Sequence, residues 1–116
     1  MGISQRDIYL KQPFDEFPVV LKYNYAGVPR PFPGGASEIV SATATAVKWH
    51  EDDFDNITDA TAEILRDIDA VEVSKNTVSV YVNGGVDRFD YKITVQILFN
   101  KDVRIEEDLF IRVREK

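Results

Sequence analysis

From Thr77 to Arg114 the chain alternates apolar and polar residues with a period of two, and this constrains its fold more than any other feature. Val78, Val80 and Val82 alternate with Thr77, Ser79 and Tyr81 until Asn83-Gly84-Gly85 breaks the run. Tyr91, Ile93, Val95, Ile97 and Phe99 then share one face, with Lys92, Thr94 and Gln96 on the other. After Asn100-Lys101-Asp102, a third run places Val103, Ile105, Leu109, Ile111 and Val113 between Arg104, Glu106, Asp108, Arg112 and Arg114. Successive side chains of a strand point to opposite faces, so alternation bounded by Gly, Asn and Asp turns predicts half-buried antiparallel strands. Such faces must find a second apolar layer, which implies a sandwich or barrel.

The preceding chain extends this pattern. Residues 1–15 show no clear period and read as an extended arm that docks on a neighbour or on its own sheet; residues 16–116 read as one domain. Phe17, Val19, Leu21, Tyr23 and Tyr25 alternate with Pro18, Val20, Lys22 and Asn24, and Pro18 marks an edge strand or its entry. Gly27 to Ala36 holds three prolines and three glycines, the composition of a shaped loop. A second strand spans Ser37 to His50. Its Thr43-Thr45-Val47-Trp49 parity competes with the thinner Ala42-Ala44-Ala46 parity, and Trp49 is taken as an inter-sheet anchor. Residues 55–68 admit a strand, through Ala60, Ala62 and Ile64, or a helix, through Ile57, Ile64, Leu65 and Ile68 with Asp59 as cap. The strand, near Ala60–Leu65, is preferred because it completes a set of about seven. Val71 and Val73 form a short strand before the Ser74-Lys75-Asn76 turn. The expected core is Trp49, Tyr91, Ile93, Val95 and Leu109.

Composition narrows the functional classes. With no cysteine among 116 residues, disulfides, cysteine-based zinc sites and thiol catalysis are excluded. A net charge of −6 opposes nonspecific nucleic-acid binding, which needs clustered Lys and Arg. The chain has no 18-residue apolar run and its first residues are polar, so neither a membrane span nor a secretory signal is expected. Glu51, Asp52, Asp53, Asp55 and Asp59 carry oxygens suited to Ca²⁺, but the spacing lacks the glycine and the terminal Glu of a calcium loop. The cluster therefore reads as a solvated acidic turn, and no metal site is assigned. His50, the single histidine, has no nucleophile-elbow context and reads as a strand-end surface residue. Gly84-Gly85 lacks the phosphate-loop setting and is a turn. The Pro29-Arg30-Pro31-Phe32-Pro33 segment is the candidate interaction site. Phe32 either plugs a partner's pocket or folds back over an open end of the sandwich.

The stretch Gly84-Gly85-Val86-Asp87-Arg88-Phe89-Asp90-Tyr91-Lys92-Ile93-Thr94-Val95 resembles the turn and penultimate strand of immunoglobulin-like and fibronectin-III-like sandwiches. The resemblance implies a tyrosine corner, with the Tyr91 hydroxyl bonded to backbone a few residues upstream. The cysteine pair of antibody domains is missing. Nearly the whole chain is also similar to small immunoglobulin-like proteins encoded among bacteriophage and prophage structural genes. The shared features are Lys11-Gln12-Pro13, a strand ending in an aromatic (Leu21 to Tyr25), Gly84-Gly85, Tyr91-Lys92-Ile93-Thr94 and Val113-Arg114-Glu115. The Pro-rich loop and the acidic 51–59 stretch depart from the commoner versions.

That resemblance implies an all-β, single Ig-like antiparallel β-sandwich of about seven strands, without catalytic residues or cofactors. The implied function is structural or assembly work in a virion by docking to copies of itself, as a homo-oligomer, or to other virion proteins. The expected location is the virion, or the host bacterial cytoplasm during assembly. The alternative is a carbohydrate- or cell-surface-binding module, with Tyr9, Tyr23, Tyr25 and Tyr81 as its aromatic platform.

Overall fold

The alternating run at 89–99 becomes the middle strand of the larger of two sheets. A computed structural model describes residues 8–24 and 30–115. Within them the elements are β1 (Ile8–Lys11), β2 (Phe17–Lys22), β3 (Ile39–His50), β4 (Asp53–Asp59), α1 (Thr61–Ile64), β5 (Val71–Val73), β6 (Thr77–Val82), β7 (Phe89–Phe99) and β8 (Arg104–Val113). One sheet has the order β1-β8-β7-β3-β4 and the other β2-β6-β5. All pairings are antiparallel except β1 with β8, so residues 8–11 of the expected arm belong to the sheet.

The architecture is an all-β sandwich, with eight strands among the described residues rather than about seven. Val19, Leu21, Val78, Val80 and Val82 face Tyr91, Ile93, Val95, Ile97, Leu109, Ile111 and Val113 across the interior, and all are buried. Each such side chain contributes about 1.5–3 kcal/mol relative to exposure, an upper estimate because unfolded chains are already partly collapsed. No helix among the described residues is long and apolar enough to cross a membrane.

Three expectations are corrected. Trp49 is not an inter-sheet anchor: it pairs with Asp90, is half-buried and lies outside the core cluster. Residues directly opposite in a ladder share a face. Ala44 opposes Val95 and Ala46 opposes Ile93, so the alanine parity is the inward one. The stretch near Ala60–Leu65 is not a strand. The Ala60 N–H donates to the Ala46 carbonyl (2.9 Å), continuing the ladder, and the Thr61 hydroxyl then accepts the Ala46 N–H (2.9 Å). With that donor taken by a side chain, the ladder ends and one helical turn follows. It buries the consecutive Ile64 and Leu65, which a two-faced strand cannot do. Asp59 accepts from the Thr61 hydroxyl (3.1 Å) and does not cap the helix. Finally, the acidic stretch is a turn only at Glu51-Asp52. Asp53–Asp59 is an edge strand exposed along its whole length, and a strand with no buried face carries no alternation to read.

Candidate interaction surface

The described part of the proline-rich loop turns inward. Pro29 lies outside the described residues. The Asn24 N–H donates to the Arg30 carbonyl (3.1 Å) and Asn24 bridges to Pro31, closing the loop at its neck. Pro31 is exposed, Pro33 half-buried, and Phe32 is half-buried against the core. The Phe32 ring lies 6.1 Å from that of Tyr23 and 6.2 Å, edge-on, from that of Phe99. Of the two readings of this loop, the structure shows the one in which Phe32 folds back over the sandwich. Arg30 holds the fold by pairing with Glu107 (2.9 Å), whose carboxylate also accepts the Tyr23 hydroxyl. Burial and then the bond to Glu107 push the Tyr23 hydroxyl well above the ordinary tyrosine range, so it serves as a permanent donor.

A second Tyr–Glu–cation arrangement is built around Tyr91. The Tyr91 hydroxyl accepts the Val86 N–H (2.8 Å), five residues upstream, and donates to Glu63 of α1. Lys48 of β3 donates to both Glu63 oxygens (2.7 and 2.9 Å), and its ammonium stands 4.9 Å from the centre of the Phe89 ring. Burial raises the Glu63 pKa, but the bonds from Lys48 and Tyr91 and the Lys48 charge outweigh it and hold the carboxyl below its usual value. Burial and the same carboxylate push the Tyr91 hydroxyl up. Both arrangements fasten elements distant in the chain, and none of their donors or acceptors is left unpaired.

The acidic residues are dispersed. Glu51 pairs with Arg88 (2.5 Å) and Arg114 (3.0 Å), Asp52 with Arg88 (3.5 Å), and Asp90 with Arg114 (2.9 Å) and Arg112 (3.4 Å). Among the described residues no group of three or more acidic or histidine side chains is placed to hold a metal ion. His50 accepts the Asp52 N–H at Nδ1 (3.0 Å) and meets Phe89 edge-on at 5.1 Å. Of the tyrosines considered for a sugar platform, Tyr23 is buried and Tyr9 packs against the core. Tyr81 is covered by Arg66 (3.8 Å), and Tyr25 lies outside the described residues.

The most exposed large apolar residue described is one the sequence reasoning passed over. Phe14 is 95% exposed at the tip of a turn between β1 and β2. The Asp15 N–H donates to the Gln12 carbonyl (3.0 Å), and the Gln12 N–H to the Asp15 carboxylate (3.0 Å). Lys11, only 2% exposed, locks the turn from beneath. Its ammonium donates to the carbonyls of Gln12 (2.9 Å), Pro13 (3.3 Å) and Gly84. Gly84 sits at φ +60°, and a Cβ there would lie 2.8 Å from the Glu63 carbonyl oxygen, so only glycine brings its carbonyl to Lys11 in this way. Desolvation lowers the Lys11 pKa against the opposing charges of Asp15 and Glu16. The sequence signal was the Pro13-Phe14-Asp15 turn alone, since residues 1–15 show no period that would mark Lys11 as inward. Glu107 carried a clearer signal, standing in β8 where the alternation calls for an apolar residue.

No protein-family model matches the chain, and no curated protein matches it significantly.

Proposed function

We propose that this chain is a non-enzymatic structural or assembly protein of a phage or prophage particle, an Ig-like sandwich that acts by docking to other proteins. The observation that carries the reading is Phe14, a large apolar side chain held in water on a turn fastened by a buried ammonium. A rigid exposed aromatic loses little conformational freedom when it enters a partner, which is how a few residues dominate protein interfaces. The immunoglobulin-like part of the reading is supported by the strand order: β2-β6-β5 corresponds to B-E-D, and β8-β7-β3 to G-F-C. The bond from Val86 to the Tyr91 hydroxyl agrees with a tyrosine corner. In a symmetric particle, contacts that are weak singly act together through multivalency.

Mass spectrometry of particles purified after induction or infection tests the proposal. Stoichiometric presence of the chain is the expected result. Its absence from intact particles, while it is abundant in the lysate, overturns the reading.

A further inference from the structure

β4 is the one strand among the described residues that is exposed along its whole length. It ends the larger sheet, and its outer edge has no partner strand among those residues. Phe54 is 69% exposed and Ile57 57%, and neither packs against the core. Ordering a strand costs backbone entropy, which core strands offset by burying side chains. β4 buries none, so the sandwich gains little from it. Its ladder with β3 is also incomplete. Lys48 opposes Thr58 and His50 opposes Asp53, which leaves Phe54 to Ile57 opposite Trp49 alone. Extra residues of such a bulge lack ladder partners. Asp53, Asp55 and Asp59 share one parity, and none of them has an ion pair among the described residues. Neighbouring cations are already engaged, Lys48 by Glu63 and Arg88 by Glu51 and Asp52.

We propose that this edge receives an extended segment of another protein as a further strand of the sheet. Lys or Arg side chains of that segment stand against Asp53, Asp55 and Asp59, and its apolar residues against Phe54. The inference rests on the docking reading above and specifies the chemistry of the partner. A strand added to an open edge draws affinity from main-chain hydrogen bonds and selectivity from alternate side chains. Charge excludes a second copy of β4 from this role. In a two-fold antiparallel pairing the numbers of opposed residues have a constant even sum. The registers that pair most of β4 therefore set Asp55 against Asp55, Asp53 against Asp59, or Asp55 against Asp59. Like charges directly opposed destabilise a ladder. Carboxylates and a bulge also deter uncharged strands, so the edge admits the strand whose charges are opposite.

Trp49, the only tryptophan, faces the bulge and reports binding by fluorescence. The probe is a peptide of β4's length that alternates Lys and Val, with both ends blocked, read by Trp49 emission and by amide NMR of the unaltered chain. Saturable binding below about 1 mM is expected, with shifts centred on residues 53–59 and an affinity several-fold weaker at about 0.3 M salt than at about 0.05 M. Phe54→Ser, and Asp53→Asn combined with Asp55→Asn, should each weaken binding at least about fivefold while the remaining spectrum stays folded, because the core touches none of these side chains. The same peptide methylated at every backbone nitrogen keeps its charges but cannot donate to a ladder, and should bind at least about tenfold more weakly. Equal binding of the two peptides, shifts centred away from β4, or no binding up to about 1 mM overturns the proposal. Shifts at 53–59 when the chain alone is concentrated overturn it too, because β4 then pairs with its own copy. None of these outcomes decides the virion reading, which stands or falls on the composition of purified particles.

Discussion

Replacing Tyr91 with Phe removes one oxygen and nothing else, and the structure sets what that oxygen is worth. The ring is fully buried and stays so in the variant, leaving the apolar contribution unchanged. What disappears is the hydroxyl's donation to the Glu63 carboxylate and its acceptance of the Val86 N–H. A hydrogen bond to a charged group contributes about 1.5–3 kcal/mol net. Val86 is partly exposed, so its freed N–H reaches water and adds little. The expected loss is about 2–3 kcal/mol. For a domain of this size roughly 4 °C of melting temperature is lost per kcal/mol, so the midpoint should fall by about 8–12 °C.

The sign of the pH dependence sharpens this prediction. Glu63 is held below its unfolded value near 4.5, so its contribution is full above that pH and is lost as pH falls through the folded pKa. The Tyr91→Phe penalty should therefore be largest at about pH 7 and shrink at a pH acid enough to protonate Glu63 in both proteins. Urea denaturation at the two pH values measures it. A penalty below about 0.5 kcal/mol at neutral pH, or one that acidification leaves unchanged, would refute a charge-assisted fastener at this site.

Other consequences follow from the same contacts. Phe32→Ala should destabilise the fold by about 2 kcal/mol, less than a fully buried Phe because the ring is half-exposed; a chemical-denaturation midpoint equal to that of the unaltered chain would return the loop to a docking role. Glu107→Ala removes the acceptor of the Tyr23 hydroxyl and the ion pair to Arg30 and should cost about 3 kcal/mol, whereas Glu107→Gln, which keeps an acceptor, should cost visibly less in the same assay. Trp49, on the outer face opposite Asp90, should be quenched by acrylamide in the native state. Quenching only after unfolding would place it back in the core.

The sequence alone determined the alternating strands of the last third, because period-two burial is a local property of an extended chain. Val78 to Val82, Tyr91 to Phe99 and Leu109 to Val113 therefore appear where their pattern put them, and the need to cover two apolar faces made a sandwich the outcome. What only the tertiary structure decided are the places where local pattern is degenerate or where distant groups meet. The parity of β3 is apolar on both sides, and its direction follows from Ile93 and Val95 standing opposite alanines. Residues 61–64 turn helical because the Thr61 hydroxyl takes the Ala46 N–H, a partner 15 positions away. Lys11, Lys48 and Glu63 look like surface charges in the sequence, and Glu107, though on the inward parity of β8, has no partner that the pattern names. They become fasteners only because the fold brings carbonyls, tyrosine hydroxyls and opposite charges to them from as far as 84 positions along the chain. Desolvation and pairing energies of that kind depend on positions in space that no local pattern encodes.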